Sequence, residues 1–520
     1  MTKIKTQPQP SINVDKDEVL KQFRNRLQDT LDEGRKEIIA KRHARGYRSA
    51  RENLNDLCDN DSFLEYGQLA VAAQRRRRSF DDLKVNTAAD GIITGLATIN
   101  ADLFDAETSR AIVIINDYTV LAGTQGVFHH KKLDRALELA AELRLPVVMY
   151  AEGGGGRPGD TDYELSLNLN SFASWAQLSG RVPMIAVNNG FCFAGNAALF
   201  GCADITIATR SSWIGMAGPA MIEGGGMGVY KPTDIGPIET QTKNGVVDIV
   251  AEDEADATRI ARQVLSYFQG SVDVWTCADQ KKLWPLLPAD RRYVYKVRDI
   301  INTLADTDSF IELREHYGRG IITGFLRIEG KALGLICNDC RFLGGAIDAE
   351  ASLKAARFLD LCSSFSLPVL SLCDTPGFMV GPDSEVEGAV RKMSDMFVAG
   401  ARLQSPIVAI FLRKGYGLGA IAMTGGSFGR PVYSASWPSG EFGAMGLEGA
   451  VHLGFKKELE AQQTSSDKEI LFNKLLEAMY ERGKATTAAS YLEIDAVIDP
   501  IDTRKVIVQA LGSGKADSTN

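Results

Sequence analysis

Four glycine-rich turns are the residues of this chain best suited to chemistry, and each falls where an apolar run gives way to a helical pattern. The first half carries Gly153-Gly154-Gly155-Gly156-Arg157 after one run and Gly190-Phe191-Cys192-Phe193-Ala194-Gly195-Asn196-Ala197 after the next. The second half carries Asp374-Thr375-Pro376-Gly377-Phe378 and then Lys414-Gly415-Tyr416-Gly417-Leu418-Gly419-Ala420. Main-chain N–H groups at a helix start point outward and act on negative oxygen, whether phosphate or the enolate of a thioester. Two matched turns suggest two oxyanion holes, each donor worth about 3 kcal/mol, or about 10² to 10³ in rate. The structural alternative is that these glycines only permit close helix-to-strand packing. The spacing is not a dinucleotide fingerprint, and no Walker sequence occurs. The five histidines, at 43, 129, 130, 316 and 452, lack nucleophile-elbow context, so side-chain nucleophiles do not lead.

The elements that must position these turns occur twice. Asp59-Asn60-Asp61-Ser62-Phe63-Leu64-Glu65 returns as Asp306-Thr307-Asp308-Ser309-Phe310-Ile311-Glu312, and Gly91-Ile92-Ile93-Thr94-Gly95 returns as Gly320-Ile321-Ile322-Thr323-Gly324. Lys132 and Arg135 ahead of Leu145-Pro146-Val147 match Lys354 and Arg357 ahead of Leu367-Pro368-Val369 at one constant spacing, and Pro183 then pairs with Pro406. A repeat this long means two homologous domains, expected at 1–270 and 271–520, with a ligand site in the cleft between halves or between neighbouring subunits. Each half alternates apolar runs with helical stretches, which predicts an α/β fold with strands buried on both faces. Helices are expected over Val19–Arg45, Lys131–Leu143, Leu165–Leu178, Ala194–Phe200, Glu252–Phe268, Lys354–Ser364 and Val386–Leu403. Residues 1 to about 14 and Gly512–Asn520 read as flexible tails.

Composition excludes several classes. A chain of 520 residues, 45% hydrophobic and 24% charged, is that of a folded enzyme. Its net charge of −8 argues against a nucleic-acid surface. No apolar run approaches the roughly 20 residues needed to span a bilayer, and Met1–Asp15 is polar, so no membrane partner and a cytoplasmic location are expected. Eight scattered cysteines are too sparse for a disulfide framework, so buried reduced thiols are expected.

Several of these segments together resemble a known family. Lys41-Arg42-His43-Ala44-Arg45, Ala50-Arg51-Glu52 and Ser62-Phe63-Leu64-Glu65-Tyr66 look like the opening signature of carboxyltransferase (β) subunits of biotin-dependent acyl-CoA carboxylases. Asp374–Phe378, Arg413–Gly417 and Trp437-Pro438 followed by Met445–Val451 resemble that family's second-half signatures. The resemblance covers roughly residues 20 to 510 and implies two duplicated crotonase-like domains. It implies an active site shared between the N-domain of one subunit and the C-domain of another, within a homohexamer (a trimer of dimers). By position, Gly195 and Asn196 would supply N–H donors in the first half, and Leu418 and Gly419 in the second. Ala194, Ala420 and Ile421 would flank the substrate, and Arg157 and Lys414 would each hold a transferring carboxylate, the one as a fork, the other as a point charge. The substrate implied is a short-chain acyl-CoA, acetyl- or propionyl-CoA, and biotin would be borne by a biotin carboxylase/biotin carboxyl carrier partner. The Met-Lys-Met context that receives biotin is missing here, as is any ATP-binding glycine loop. A reverse-running decarboxylase and a catalytically silent scaffold are the alternative readings.

The chain departs from that pattern. Asn196 stands where a second glycine is common, and Gly153–Gly156 replaces a more usual Asp-Ser-Gly-Gly-Ala. Ile421 replaces the aspartate of propionyl-preferring relatives, which suits a different or broader acyl chain. Arg75-Arg76-Arg77-Arg78 reads as a solvated loop that could also meet CoA phosphates. Cys337-Asn338-Asp339-Cys340 has zinc-knuckle spacing without a second pair, so no metal is expected.

Overall fold

The computed structural model describes residues 15–163 and 168–512, and both expected tails lie almost wholly outside that range. Two sheets of the same strand order carry the chain. The first is built from β1 (Leu64–Tyr66), β2 (Ile92–Thr98), β3 (Arg110–Asn116), β4 (Val147–Tyr150), β5 (Met184–Asn188), β7 (Ile205–Thr209) and β9 (Ile249–Ala251), with β6 (Phe191–Phe193) and β8 (Trp213–Gly215) as a separate parallel pair. The second uses β10 (Ile311–Leu313), β11 (Ile321–Ile328), β12 (Lys331–Asn338), β13 (Val369–Thr375), β14 (Ile407–Tyr416), β15 (Tyr433–Ser436) and β17 (Ala496–Val497), with β16 (Glu441–Gly443) on β14. In both, three antiparallel strands lead into a parallel run, β3-β4-β5-β7-β9 and β12-β13-β14-β15-β17. The central parallel strands β4, β5, β7 and β13 are buried along their length, as helix-covered sheets require.

The two repeated sequence motifs prove to be one structural unit. Glu65 pairs with Gly95 and Glu312 with Gly324 in matching registers. A Cβ on Gly95 would stand 2.4 Å from the Phe63 ring, and one on Gly324 would stand 3.0 Å from the Phe310 ring. Glycine is therefore needed where the aromatic crosses the strand. Arg51 grips Glu65 at 3.0 and 3.2 Å, and Arg298 grips Glu312 at 2.7 and 2.6 Å, both as bidentate pairs. Even the closing arginines repeat: Arg262 donates to Leu57 O and Asp59, Arg504 to Leu304 O and Asp306.

One core joins the halves. The helix Glu254–Ser266 closes the first unit and delivers Tyr267 and Phe268 against Phe325 of β11, with centroids 5.3 and 5.5 Å away. Just beyond, Val272 N donates to Gly330 O, so the chain is already bonded into the second unit. Arg314 reaches back to Asp248 at 2.7 Å.

Some expected helices differ. Val19–Arg45 is not one helix but two, Lys16–Gln28 and Lys36–His43, separated by a 3₁₀ turn at Asp32–Gly34. The break follows from tertiary pull: the Arg35 guanidinium donates to Asp117 and Thr119 at 2.6 Å, and a Cβ on Gly34 would sit 2.4 Å from Gln28 O. Val386–Leu403 likewise divides into Pro382–Val386 and Ala389–Arg402 at Gly388, whose φ of 77° a helix interior does not allow. Of Leu165–Leu178, the helix runs Ser171–Leu178, and residues 164–167 lie outside the described range.

Candidate active site

In the first unit β4 ends at Tyr150 and the chain turns through Gly153–Gly156, against the start of the helix Gly195–Cys202. The contact is tight, since a Cβ on Gly155, whose φ is 86°, would lie 2.7 Å from the Ala194 Cβ. Ala194 itself is held at φ 51°, ψ −119° by its N–H bond to Gly215 O, an unusual conformation for a residue with a side chain. That conformation swings the chain into the helix with the Gly195 and Asn196 amides leading. No acceptor among the described residues engages either amide.

Asn196 and Gly153, two departures from the family pattern, meet in the structure. The Asn196 Oδ1 accepts from Gly155 N at 3.0 Å, and its Nδ2 would stand 2.3 Å from a Cβ on residue 153. The Gly123 main-chain oxygen would stand equally close to that Cβ, at 2.3 Å, so backbone and carboxamide together leave room only for glycine at 153, and the Asn196 side chain ties the glycine turn to the helix.

The second unit repeats the arrangement. β13 ends at Thr375, Gly377 turns at φ 119°, and the helix Gly417–Met423 starts directly against it. A Cβ on Gly419 would lie 2.7 Å from Gly377 C and 2.9 Å from Phe378 N, so helix and turn meet backbone to backbone. Leu418 is 63% exposed, whereas Gly419 and Ala420 are buried. The Leu418 and Gly419 amides, like those of the first turn, meet no acceptor among the described residues. Helix-start amides are orphans by geometry, and no intrahelical bond claims these four.

Behind each turn sits a buried ion pair that spacing alone did not disclose. Glu152, directly ahead of Gly153, accepts from both Arg42 nitrogens at 3.0 and 2.6 Å. Burial pushes its carboxyl up to about 7, against the pull of Arg42. Asp374, at the matching place in the second unit, accepts from Tyr295 Oη at 2.8 Å, Arg413 at 3.0 Å and Lys414 N at 3.1 Å. Their equal position in the repeat was the one available signal.

The basic candidates part company. Arg157 is not placed to fork a substrate carboxylate: its side chain is 3% exposed, ion-paired to Asp90 and Asp160, and donating to Thr124 O at 2.7 Å. A guanidinium so engaged supports its loop and cannot leave at low cost. Lys414 is partly accessible, with Nζ on Gly344 O at 2.6 Å and 3.8 Å from Asp374. Ile421 lines a groove of about 700 Å³ with Gly417, Phe428, Phe442 and Leu492.

Elsewhere, His130 Nδ1 lies 2.9 Å from Ser171 Oγ, which also bonds Asp134, an assembly invisible in the sequence. The hydroxyl is enclosed and sits between the other two groups, so this is no nucleophilic triad. Six of the eight cysteines are buried thiols, Cys337 and Cys340 among them. Arg75–Arg77 remain exposed, with the Arg75 and Arg76 amides capping Asp162.

Comparison with known proteins agrees with this geometry. The chain matches the carboxyl transferase domain over residues 41–518. It is 31% identical to the methylmalonyl-CoA carboxyltransferase 12S subunit of Propionibacterium freudenreichii subsp. shermanii, over 91% of this chain and 90% of that one. To the propionyl-CoA carboxylase beta chain of Saccharopolyspora erythraea it is 30% identical, over 94% and 91%. Among solved structures, a single-chain, multi-domain long-chain acyl-CoA carboxylase superposes with TM-score 0.91 at 53% identity, covering 96% of this chain. The present chain spans about half of that longer one, 49%. The hexameric transcarboxylase 12S, with methylmalonyl-CoA bound, superposes at TM-score 0.83 and 27% identity over 99% of each chain. With duplicated sheets, matched glycine turns and unengaged helix starts in agreement with these likenesses, the chain belongs to the carboxyl transferase domain family and is a biotin-dependent acyl-CoA carboxyltransferase built from two crotonase-like domains.

Proposed function

We propose that this chain moves a carboxyl group from carboxybiotin, borne on a biotin carboxylase/biotin carboxyl carrier partner, to the α-carbon of an acyl-CoA. The observation that carries the reading is the pair of unengaged helix starts, one per repeat, each backed by a glycine turn. Such a transfer develops negative charge on two oxygens, the thioester carbonyl and the ureido carbonyl, and preorganised amides stabilise each without reorganisation. Bound carboxybiotin supplies the carbon dioxide and, on its loss, a ring nitrogen that takes the α-proton. The amides of Gly195 and Asn196, and those of Leu418 and Gly419, would each hold one of the two oxygens. The α C–H bond breaks, the new carbon–carbon bond forms from the enolate carbon, and Lys414 would steady the carboxylate in passage. Ala194 and Ala420 shape the two rims.

Acetyl- and propionyl-CoA are the proposed substrates, and the groove beside Ile421 has room for longer acyl chains. Met216, Met221 and Val229 expose 73, 65 and 78% of their surface, on the segment that follows the strand holding Ala194. That apolar rim suits closure by a second copy, in a homohexamer built as a trimer of dimers. No helix of the described residues is long and apolar enough to cross a membrane, and the proposed setting is the cytoplasm. The Asn196 bond to the glycine turn, which leaves the helix-start amides unengaged among the described residues, favours a working site over a silent scaffold. The test is malonyl-CoA-dependent carboxylation of free biotin by the purified chain, then an acyl-CoA panel with the partner, ATP and bicarbonate. Absence of both activities would refute the reading. Unchanged chain preference in Ile421→Asp would remove that residue's part in it.

A further inference from the structure

Gln125 lies over the first helix start, with the N–H end of its carboxamide buried and unpaired. It is 4% exposed, and its Nε2 is sealed from solvent with no acceptor. Its Oε1 stands 2.2 Å from where a Cβ on Gly195 would be. Its main chain is fixed: Gln125 N donates to Gly155 O at 2.7 Å, and Arg157 N donates to Gln125 O at 2.9 Å. The carboxamide is therefore anchored to the glycine turn while its N–H end has no partner to hold it. A buried, unpaired amide is costly and calls for a reason.

The second unit shows what the same place looks like without it. Ile347 occupies the matching position, with Ile347 N on Gly377 O at 3.0 Å and Met379 N on Ile347 O at 2.8 Å. The strap is common to both units, whereas the carboxamide belongs to the first alone.

Resting on the proposed carboxyl transfer, we infer that Gln125 is a third donor of the first oxyanion site. The terminal torsion of a glutamine is broad and two-fold, so a half-turn exchanges its ends at little cost. With no anion present the carbonyl end lies against Gly195; when negative charge develops on an oxygen held by the Gly195 and Asn196 amides, the N–H end turns to meet it. The exchange makes and breaks no covalent bond. The donor would stabilise the transition state more than the bound substrate, so its loss falls on kcat.

The experiment uses the full chain with malonyl-CoA and free biotin, in Gln125→Met and Gln125→Glu. Methionine keeps length and volume but donates nothing; glutamate keeps shape and brings an opposing charge. The expected result is a fall in kcat of about 10²-fold for Gln125→Met and a larger one for Gln125→Glu. For Gln125→Met, KM for each substrate should stay within about threefold and the melting temperature should not fall. Whichever KM moves more in Gln125→Glu tells which substrate's oxygen the carboxamide meets. A Gln125→Met enzyme as fast as an active wild type overturns the inference, and so does a loss of rate matched by a loss of melting temperature, which assigns Gln125 to loop support. A wild type inactive in the same assay overturns the functional reading, and this inference with it.

Discussion

If catalysis rests on main-chain amides, one substitution separates it from every side-chain account: Leu418→Pro. Leu418 is the second residue of its helix, its side chain is 63% exposed, and its amide meets no acceptor among the described residues. Proline is tolerated in the first helical turn, where the missing N–H closes no intrahelical bond, and the preceding Gly417 is free of Cβ restrictions. The fold therefore loses no hydrogen bond, and stability should stay within about 1 kcal/mol of the wild type. The site loses one oxyanion donor, worth about 3 kcal/mol, so kcat should fall by about 10² to 10³. Leu418→Ala is the internal control, since it removes the side chain and keeps the amide; its kcat should match the wild type. The assay is carboxylation of the preferred acyl-CoA by the reconstituted complex, beside urea unfolding followed by circular dichroism. A Leu418→Pro enzyme that folds and turns over at the wild-type rate would refute the role given to these amides, and a slow Leu418→Ala would move the chemistry to the side chain.

Three further outcomes follow from the packing and the buried charges. Gly419→Ala places a methyl 2.7 Å from Gly377 C, so helix and turn must separate by several tenths of an ångström; kcat should drop about 10²-fold with a stability loss of about 1–3 kcal/mol, read by kinetics and urea midpoints. Asp374→Asn leaves the Arg413 guanidinium buried without its counter-charge, which should cost about 3–5 kcal/mol and slow the enzyme through the Lys414 main chain. Burial lowers Lys354 to about 8 from 10.5, so the native state binds fewer protons than the unfolded chain between those values. Its cost to stability is full below pH 8 and vanishes above about 10.5; Lys354→Met should therefore stabilise by up to roughly 3 kcal/mol at pH 7, with the gain shrinking as pH rises, in unfolding curves taken across that range. A gain independent of pH would refute that assignment.

Much of the architecture was open to reading without coordinates, because duplication, strand–helix alternation and glycine turns are written in residues near one another. The repeated Ser-Phe and Gly-Ile-Ile-Thr-Gly segments already implied two equal units, and the contacts of Phe63 with Gly95 and Phe310 with Gly324 show why both segments had to repeat together. The glycine turns that lead into the helices at Gly195 and Gly417 were legible from local pattern, since a helix start needs no distant partner to expose its amides, whereas the donors proposed within them came from the family resemblance.

What a side chain meets is a different matter, because its partners come from anywhere in the chain. Arg157 reads as a free cation beside a glycine turn until Asp90, far earlier in sequence, is folded onto it. Arg35 breaks what periodicity would make one long helix, since its bonds to Asp117 and Thr119 outweigh the modest cost of ending a helix. Asn196 and Gly153 look like two separate departures in one dimension and become one interlocked feature in three. By itself, then, the order of residues determined the duplicated α/β plan and the places where main-chain donors emerge. Tertiary packing alone decided which charges are spent on the protein's own carboxylates and which polar groups remain for a ligand, because desolvation and pairing are settled only when distant segments close around them.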